Sequence, residues 1–320
     1  MKVGMKKKIQ LFLLGVVCLF FAQFTVEAKE LEYEGFLYHY ESSFFYQPWD
    51  EKASLGKEAV ITGYVGNEKE VTVPKQIEGV TVTTIEDGCF KRNSYIETVV
   101  IPDTVTYMGR GVFFRCKNLK EVSLPHIEKL PESTFAFCTS LKSISIPDGC
   151  AEIGKYAFYK CTSLHTVVRG ELNERDTLLW MHSVCESAFE GCKNLKNIDL
   201  SKAYFIDEAA FKDCKSLKSV NIYYANDISA RAFYKCVSLE KVDIDTSCIG
   251  EKAFYGCKKL KTIRGYNSLD SISKDAFKKI HPKAVFTVPK KYVKSWKKCL
   301  TAKVGFKKTM KIKTKKKMEW

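Results

Sequence analysis

Large apolar residues recur along this chain at one spacing. Phe90, Phe113, Phe135, Phe158, Phe189, Phe211, Phe233, Phe254 and Phe277 follow one another at intervals of 23, 22, 23, 31, 22, 22, 21 and 23 residues. Five positions before each Phe stands another apolar residue, from Ile85 and Met108 through to Ile249 and Ile272. Three positions after it, seven of the nine units carry Cys: Cys116, Cys138, Cys161, Cys192, Cys214, Cys236 and Cys257. Leu follows at the next third position (Leu119 to Leu260), then Val or Ile (Val122 to Ile263). Self-similarity at such a period marks a stack of repeats, each too small to bury its own apolar face.

The pattern within a unit predicts its elements. In Leu217-Lys-Ser-Val220-Asn-Ile222, Val220 and Ile222 fall on one side and Asn221 on the other, the alternation of a short strand. Pro102, Pro125 and Pro147 close the strands. The Ile228-to-Phe233 stretch, with Ala232 before the Phe, reads as one or two helical turns on the far side of the coil. Outside the frame, Leu31 to Gly66 alternates apolar and polar residues and is expected to close the first coil with strands. Tyr292, Trp296 and Leu300 recur every fourth residue on a short amphipathic lid helix.

The unit, written AFxxCxSLxxVxI(P)xxxxxIG, resembles the BspA-type leucine-rich repeat, over Val71 to Pro289. The resemblance implies an α/β leucine-rich-repeat solenoid, right-handed, with one parallel sheet face and short helical or turn segments opposite. Members of that family are exported or surface proteins, some of them mediating adhesion to host or matrix proteins. The resemblance brings no catalytic residue with it.

The first residues change the compartment. Lys2, Lys6, Lys7 and Lys8 precede an apolar run from Ile9 to Phe24 and the small-residue site Val26-Glu27-Ala28. This order is that of a secretory signal peptide, against the rival of an uncleaved anchor, for which the run is short. The organisation expected is a signal at 1–28, a β cap at 29–66 and a solenoid at 67–289 with an insertion at 169–183. A capping helix at 290–302 and a basic tail at 303–320 follow.

Charge is segregated. From Lys278 to Trp320 the chain holds sixteen Lys and one acid, Glu319, so this end accounts for the whole formal net charge of +15. The tail is expected to be mobile and dispensable for the fold, with Lys307, Lys308, Lys311, Lys313, Lys315, Lys316 and Lys317 facing an anionic cell-wall polymer or lipid surface. Nucleic acid is disfavoured as a partner by compartment.

The seven in-frame Cys occupy one rung position, so they are read as inward-pointing free thiols, since parallel side chains suit a disulfide poorly. Cys89, Cys150, Cys185, Cys248 and Cys299 lie off this ladder and could pair. There is no C-x-x-C, no H-E-x-x-H, no G-x-S-x-G and no P-loop, and the five His are scattered. No cofactor, metal or enzymatic activity is expected.

Candidate contacts therefore come from exposed strand positions and from the one irregular interval. The former are mostly small and polar and include Asp199, Asn221, Lys241 and Asp243. The latter carries Arg175, Leu179, Trp180 and Met181 on an insertion expected near the edge of the sheet face. Together they suggest an exported, non-catalytic module binding an extracellular protein or glycan. The alternative is a structural envelope protein retained electrostatically by its basic end. Oligomeric state is open.

Overall fold

The computed structural model describes residues 30–43, 56–169 and 182–316. The signal segment lies outside them. The described chain winds as a parallel-strand solenoid, each Phe marking one coil. One face is carried in three stretches of parallel strands: a three-stranded sheet ending at Glu121–Ser123, the pair Ser143–Ile146 and Thr166–Arg169, and a five-stranded sheet from Ser219–Ile222 to Lys311–Lys315. Inward residues of each strand meet inward residues of the next: Val220 pairs with Val242, and Val242 with Ile263.

The opposite side is not helical. A second parallel sheet of two-residue strands runs there from Lys129–Leu130 to Ser271–Ile272, and from Phe135 onward the apolar residue five before each Phe belongs to it, while Ile85 and Met108 pair in the N-terminal sheet. The Phe itself sits in a tight turn. Two residues before it and two after it the backbone has positive φ: 56° at Arg231 and 58° at Lys235 around Phe233, for instance. This corrects the α/β expectation, because left-handed residues four apart cannot be accommodated in an α-helix. The only α-helix among the described residues is Val293–Cys299.

These positive-φ sites are filled mostly by Lys, Arg, Ser, Asp and other residues, and by Gly88, Gly111, Gly191 and Gly256 in four coils. At Gly256 an added Cβ would touch only the side chain of Lys235 closely. Gly256→Ala should therefore cost about 1 kcal/mol, the left-handed penalty for an L-residue, in a urea melt. A loss several times larger would mean that packing as well as backbone conformation requires glycine there.

The coils are held together by three aligned ladders. The nine Phe rings are buried and stack coil on coil with centroids 5.0–5.4 Å apart and planes within 13° of parallel. Backbone N–H groups of each turn donate to the next, as Phe211 does to the Ala232 carbonyl at 2.8 Å. Each ladder Cys is buried, and its S–H donates to the Phe carbonyl of the preceding coil, from Cys116 to Phe90 (2.9 Å) through to Cys257 to Phe233 (3.1 Å). Every described Cys is a free thiol, including those off the ladder.

Burial drives the ladder thiols upward, with Cys116 pushed up to about 12, and half-buried Cys185 to about 11. The thiolate is the reactive form, so native protein at pH 8 should label slowly. Cys248, Cys299 and Cys185 should react before the ladder, and the ladder only on unfolding. Counting thiols on unfolded, unreduced protein should return all twelve beyond Cys18, and a shortfall would reveal bridges.

Both ends are closed. At the start, Leu31–Tyr33 and Phe36–Ser43 form a hairpin about Glu34 and Gly35, both at positive φ, the geometry of a tight two-residue turn. It continues through Gly56–Tyr64 to Val80–Ile85, and Phe36 and Tyr64 cover Phe90. At the far end Trp296 of the short helix is buried and donates its indole N–H to the Asn267 carbonyl at 2.9 Å.

The basic segment after it is not an appendage over its described part. Thr301 to Phe306 continues the ladder of turns, with Phe277 N–H donating to the Val304 carbonyl at 2.8 Å, and Gly305 stands where a further Phe would. Val304 and Met310 are buried, and Lys311–Lys315 adds a strand in parallel register to Val285–Pro289. The expectation of a mobile tail gives way to a shortened terminal coil.

Candidate binding face

On the first face the strand pattern fails in one coil. Asn197 keeps a single bridge to Thr166, and Ile198 to Leu200 form no strand. The Asp199 carboxylate accepts the backbone N–H of Ser201 at 2.9 Å, turning the chain early. This coil follows the irregular interval: the described chain stops at Arg169, at the end of a first-face strand, and resumes at His182, just before Ser183–Val184 of the second sheet. The result is an open depression of about 520 Å³ lined by His165, Thr166, Asn197, Asp199, Ser201 and Asn221, among others. Asp199, Asn197 and Asn221 are exposed there. His165 was not among the residues singled out in the sequence; its only signal was its place one residue beyond the Leu rung.

The neighbouring coils place the other candidates. Register pairs Ser219 with Lys241 and Asn221 with Asp243, then Lys241 with Thr262 and Asp243 with Arg264. Asp243 is 1% exposed, so it is no direct ligand contact, contrary to its reading as an outward strand residue. Lys241 Nζ lies 2.8 Å from one of its carboxylate oxygens and Arg264 Nε 3.7 Å from the other. The buried carboxylate thus fixes two partly exposed cations on the face. Tyr223 packs edge-on against Tyr266 close by, and burial, then the charge of Asp243, raises its phenol above the usual range. The acidic bias expected around Asp199 and Asp243 is therefore half cancelled: Asp199 is free to meet solvent, whereas Asp243 presents its partners.

Arg175, Leu179, Trp180 and Met181 lie outside the described residues. The chain re-enters at His182, whose ring stacks on Tyr204 at 5.2 Å and meets Phe205 edge-on at 5.7 Å; Tyr204 and Phe205 are exposed. Lys307, Lys308, Lys311, Lys313, Lys315 and Lys316 are all exposed, and Lys317 lies beyond the described chain. Lys311 and Lys313 prolong the outward columns of the first face through Val285 and Thr287. Among the described residues no group of three His, Cys, Asp or Glu is arranged to hold a metal, and no helix is long and apolar enough to cross a membrane.

Fold and face together define a leucine-rich-repeat solenoid that offers a broad polar surface. The profile of the BspA type leucine rich repeat region matches residues 68–175 and 182–302 in six copies, and the chain belongs to that family. Among curated proteins no sequence matches it significantly. Several solved structures share the architecture. The pneumococcal vaccine antigen PcpA is 16% identical, covering 90% of this chain and 99% of its own, with a TM-score of 0.50. A leucine-rich cell surface protein of Faecalibacterium prausnitzii is 20% identical over 89% of this chain and 94% of its own, with a TM-score of 0.46. The leucine-rich-repeat protein of T. pallidum is 22% identical over 72% and 91%, with a TM-score of 0.45. At these identities the likeness is one of fold.

Proposed function

We propose that this protein is an exported, non-catalytic binding module of the bacterial cell surface, and that its first sheet face holds an extracellular protein or glycan at the depression between Thr166 and Asn221. The observation that carries this reading is the break in that face at Asn197 to Leu200, which opens a polar recess beside Lys241 and Arg264. A continuous flat sheet would offer no such relief. Membership of a family of surface repeat proteins supports the location. Arg175, Leu179, Trp180 and Met181, which follow the first-face strand Thr166–Arg169 in sequence, are proposed to supply further contacts. An array of purified extracellular-matrix proteins and oligosaccharides, probed with wild type and with Asp199→Ala/Asn221→Ala, tests it. Retained melting temperature with loss of the array signal supports the recess; an undiminished signal removes it from function.

Retention on an anionic surface is a second role, favoured by the exposure of six described Lys between Lys307 and Lys316. Replacing Lys311, Lys313 and Lys315 by Gln should weaken binding to vesicles containing anionic lipid and flatten its salt dependence.

A further inference from the structure

The body of the solenoid is near neutral in sum, yet its charge is sorted by rung. Across the nine coils, the five positions after each ladder Phe hold thirteen Lys or Arg, against only Glu190 and Asp213. The four positions before each Phe hold five basic and eight acidic residues. The turn that follows the Phe thus carries cations in every coil but that of Phe135, at the side of the coil away from the loops that leave the first sheet.

On this edge the cations are set among aromatic rings. Lys91 lies 5.6 Å from the centre of the Phe114 ring. Arg115 sits between Phe114 and Phe137, 5.2 and 5.1 Å from their centres. Lys160 sits between Phe137 and Tyr159, at 5.4 and 5.0 Å. The rings themselves meet edge to face, Phe114 with Phe137 at 5.7 Å and Phe137 with Tyr159 at 5.3 Å. Lys91, Arg115 and Lys160 are exposed, and none forms an ion pair among the described residues. Asp87 and Glu132 line a shallow depression with Lys91 and Phe114. In the next two coils the ion pair of Lys212 with Glu190 interrupts the run. A shorter version resumes with Lys235 over Tyr234, Tyr234 stacked on Tyr255, and Lys279 over Tyr255.

We infer that the edge from Lys91 to Lys160 binds a linear acidic polysaccharide lying along the solenoid axis. Three features select this ligand. The rings are continuous over three coils at 5.3–5.7 Å, and the cations Arg115 and Lys160 flank the Phe137 ring of the coil between them, which carries no cation of its own; a uronate or sulfated glycan likewise alternates charged groups with apolar C–H faces along its length. The ring faces are already covered by ammonium and guanidinium groups, so stacked nucleobases find no free platform. The half-buried rings hold the cations with part of their hydration removed, and the apolar rims between them suit the C–H faces of sugars.

The test uses the chain from Lys29 to Trp320, wild type and Lys91→Gln/Arg115→Gln/Lys160→Gln, with immobilised polygalacturonate and heparin as the two acidic arms. Neutral dextran and oligodeoxythymidine serve as controls. The expected result is salt-sensitive binding to at least one acidic glycan, weakened tenfold or more in the triple variant at unchanged melting temperature. The Asp199→Ala/Asn221→Ala variant should bind the same glycan as wild type does, which separates this edge from the recess. Equal binding by wild type and triple variant, equal binding of dextran, or no binding to either acidic polymer would each overturn the inference. Tighter binding of oligodeoxythymidine than of both glycans would reassign the edge to nucleic acid.

Discussion

Phe211→Ala is expected to lower the unfolding free energy by roughly 3–5 kcal/mol, the range for emptying a buried aromatic site. The ring is fully buried and lies 5.2 Å from both Phe189 and Phe233, within 5° of parallel to each. It cannot be replaced by collapse, because the coils on both sides are fixed by backbone bonds: Phe211 N–H to the Ala232 carbonyl of the next coil, and Phe189 N–H of the preceding coil to the Ala210 carbonyl. In a stack each coil touches only its neighbours, so stability is a chain of local interfaces rather than a shared core. The lesion should therefore also loosen the coupling between the two halves. Urea unfolding followed by circular dichroism and by fluorescence of Trp296, which lies in the C-terminal cap, should give coincident curves for wild type and separated curves for the variant. Tyr234→Ala, on a half-buried surface ring, serves as comparison and should cost much less. A loss below 1 kcal/mol at Phe211 would show that the ladder is not what joins the coils.

Removing 303–320 should destabilise the protein by roughly 3–6 kcal/mol, from the burial of Val304 and Met310 at about 1.5–3 kcal/mol each. It also strips a strand from Val285–Pro289 and uncovers the Phe286 ring that Phe306 packs against. Charge plays little part in this loss, so Lys→Gln changes at positions 311, 313 and 315 should leave the melting temperature nearly unaltered. A truncated protein that melts with wild type would return the segment to the status of a tail.

That segment shows where sequence reasoning stops. Its lysines dominate the eye, and the alternation Lys311-Ile312-Lys313-Thr314-Lys315 has only one apolar member to mark an inward side. The strand exists because a sheet edge waits beside it, and the lysines suit an edge strand, where charge discourages further pairing. The coil count and the inward columns were legible, because Phe, Cys, Leu and Val recur in one frame. The second sheet was not. Apolar residues five before each Phe fit one or two helical turns well enough, and the left-handed residues that exclude a helix are chemically diverse, from Arg231 to Ala209 to Asp275. Of the candidate face, the polar columns could be read from period-two alternation. The burial of Asp243 could not, since it depends on Lys241 and Arg264, one within its strand and one in the next coil.

The irregular interval has one more consequence. Although 31 residues separate Phe158 from Phe189, their rings stack at 5.0 Å, as close as any pair in the ladder. Whatever length of chain runs between Arg169 and His182, the core does not register it. The Phe ladder tolerates an interval of 31 residues between neighbours of 23 and 22 without any change in stacking. The same solenoid can therefore diversify there, generation by generation, with no compensating change elsewhere.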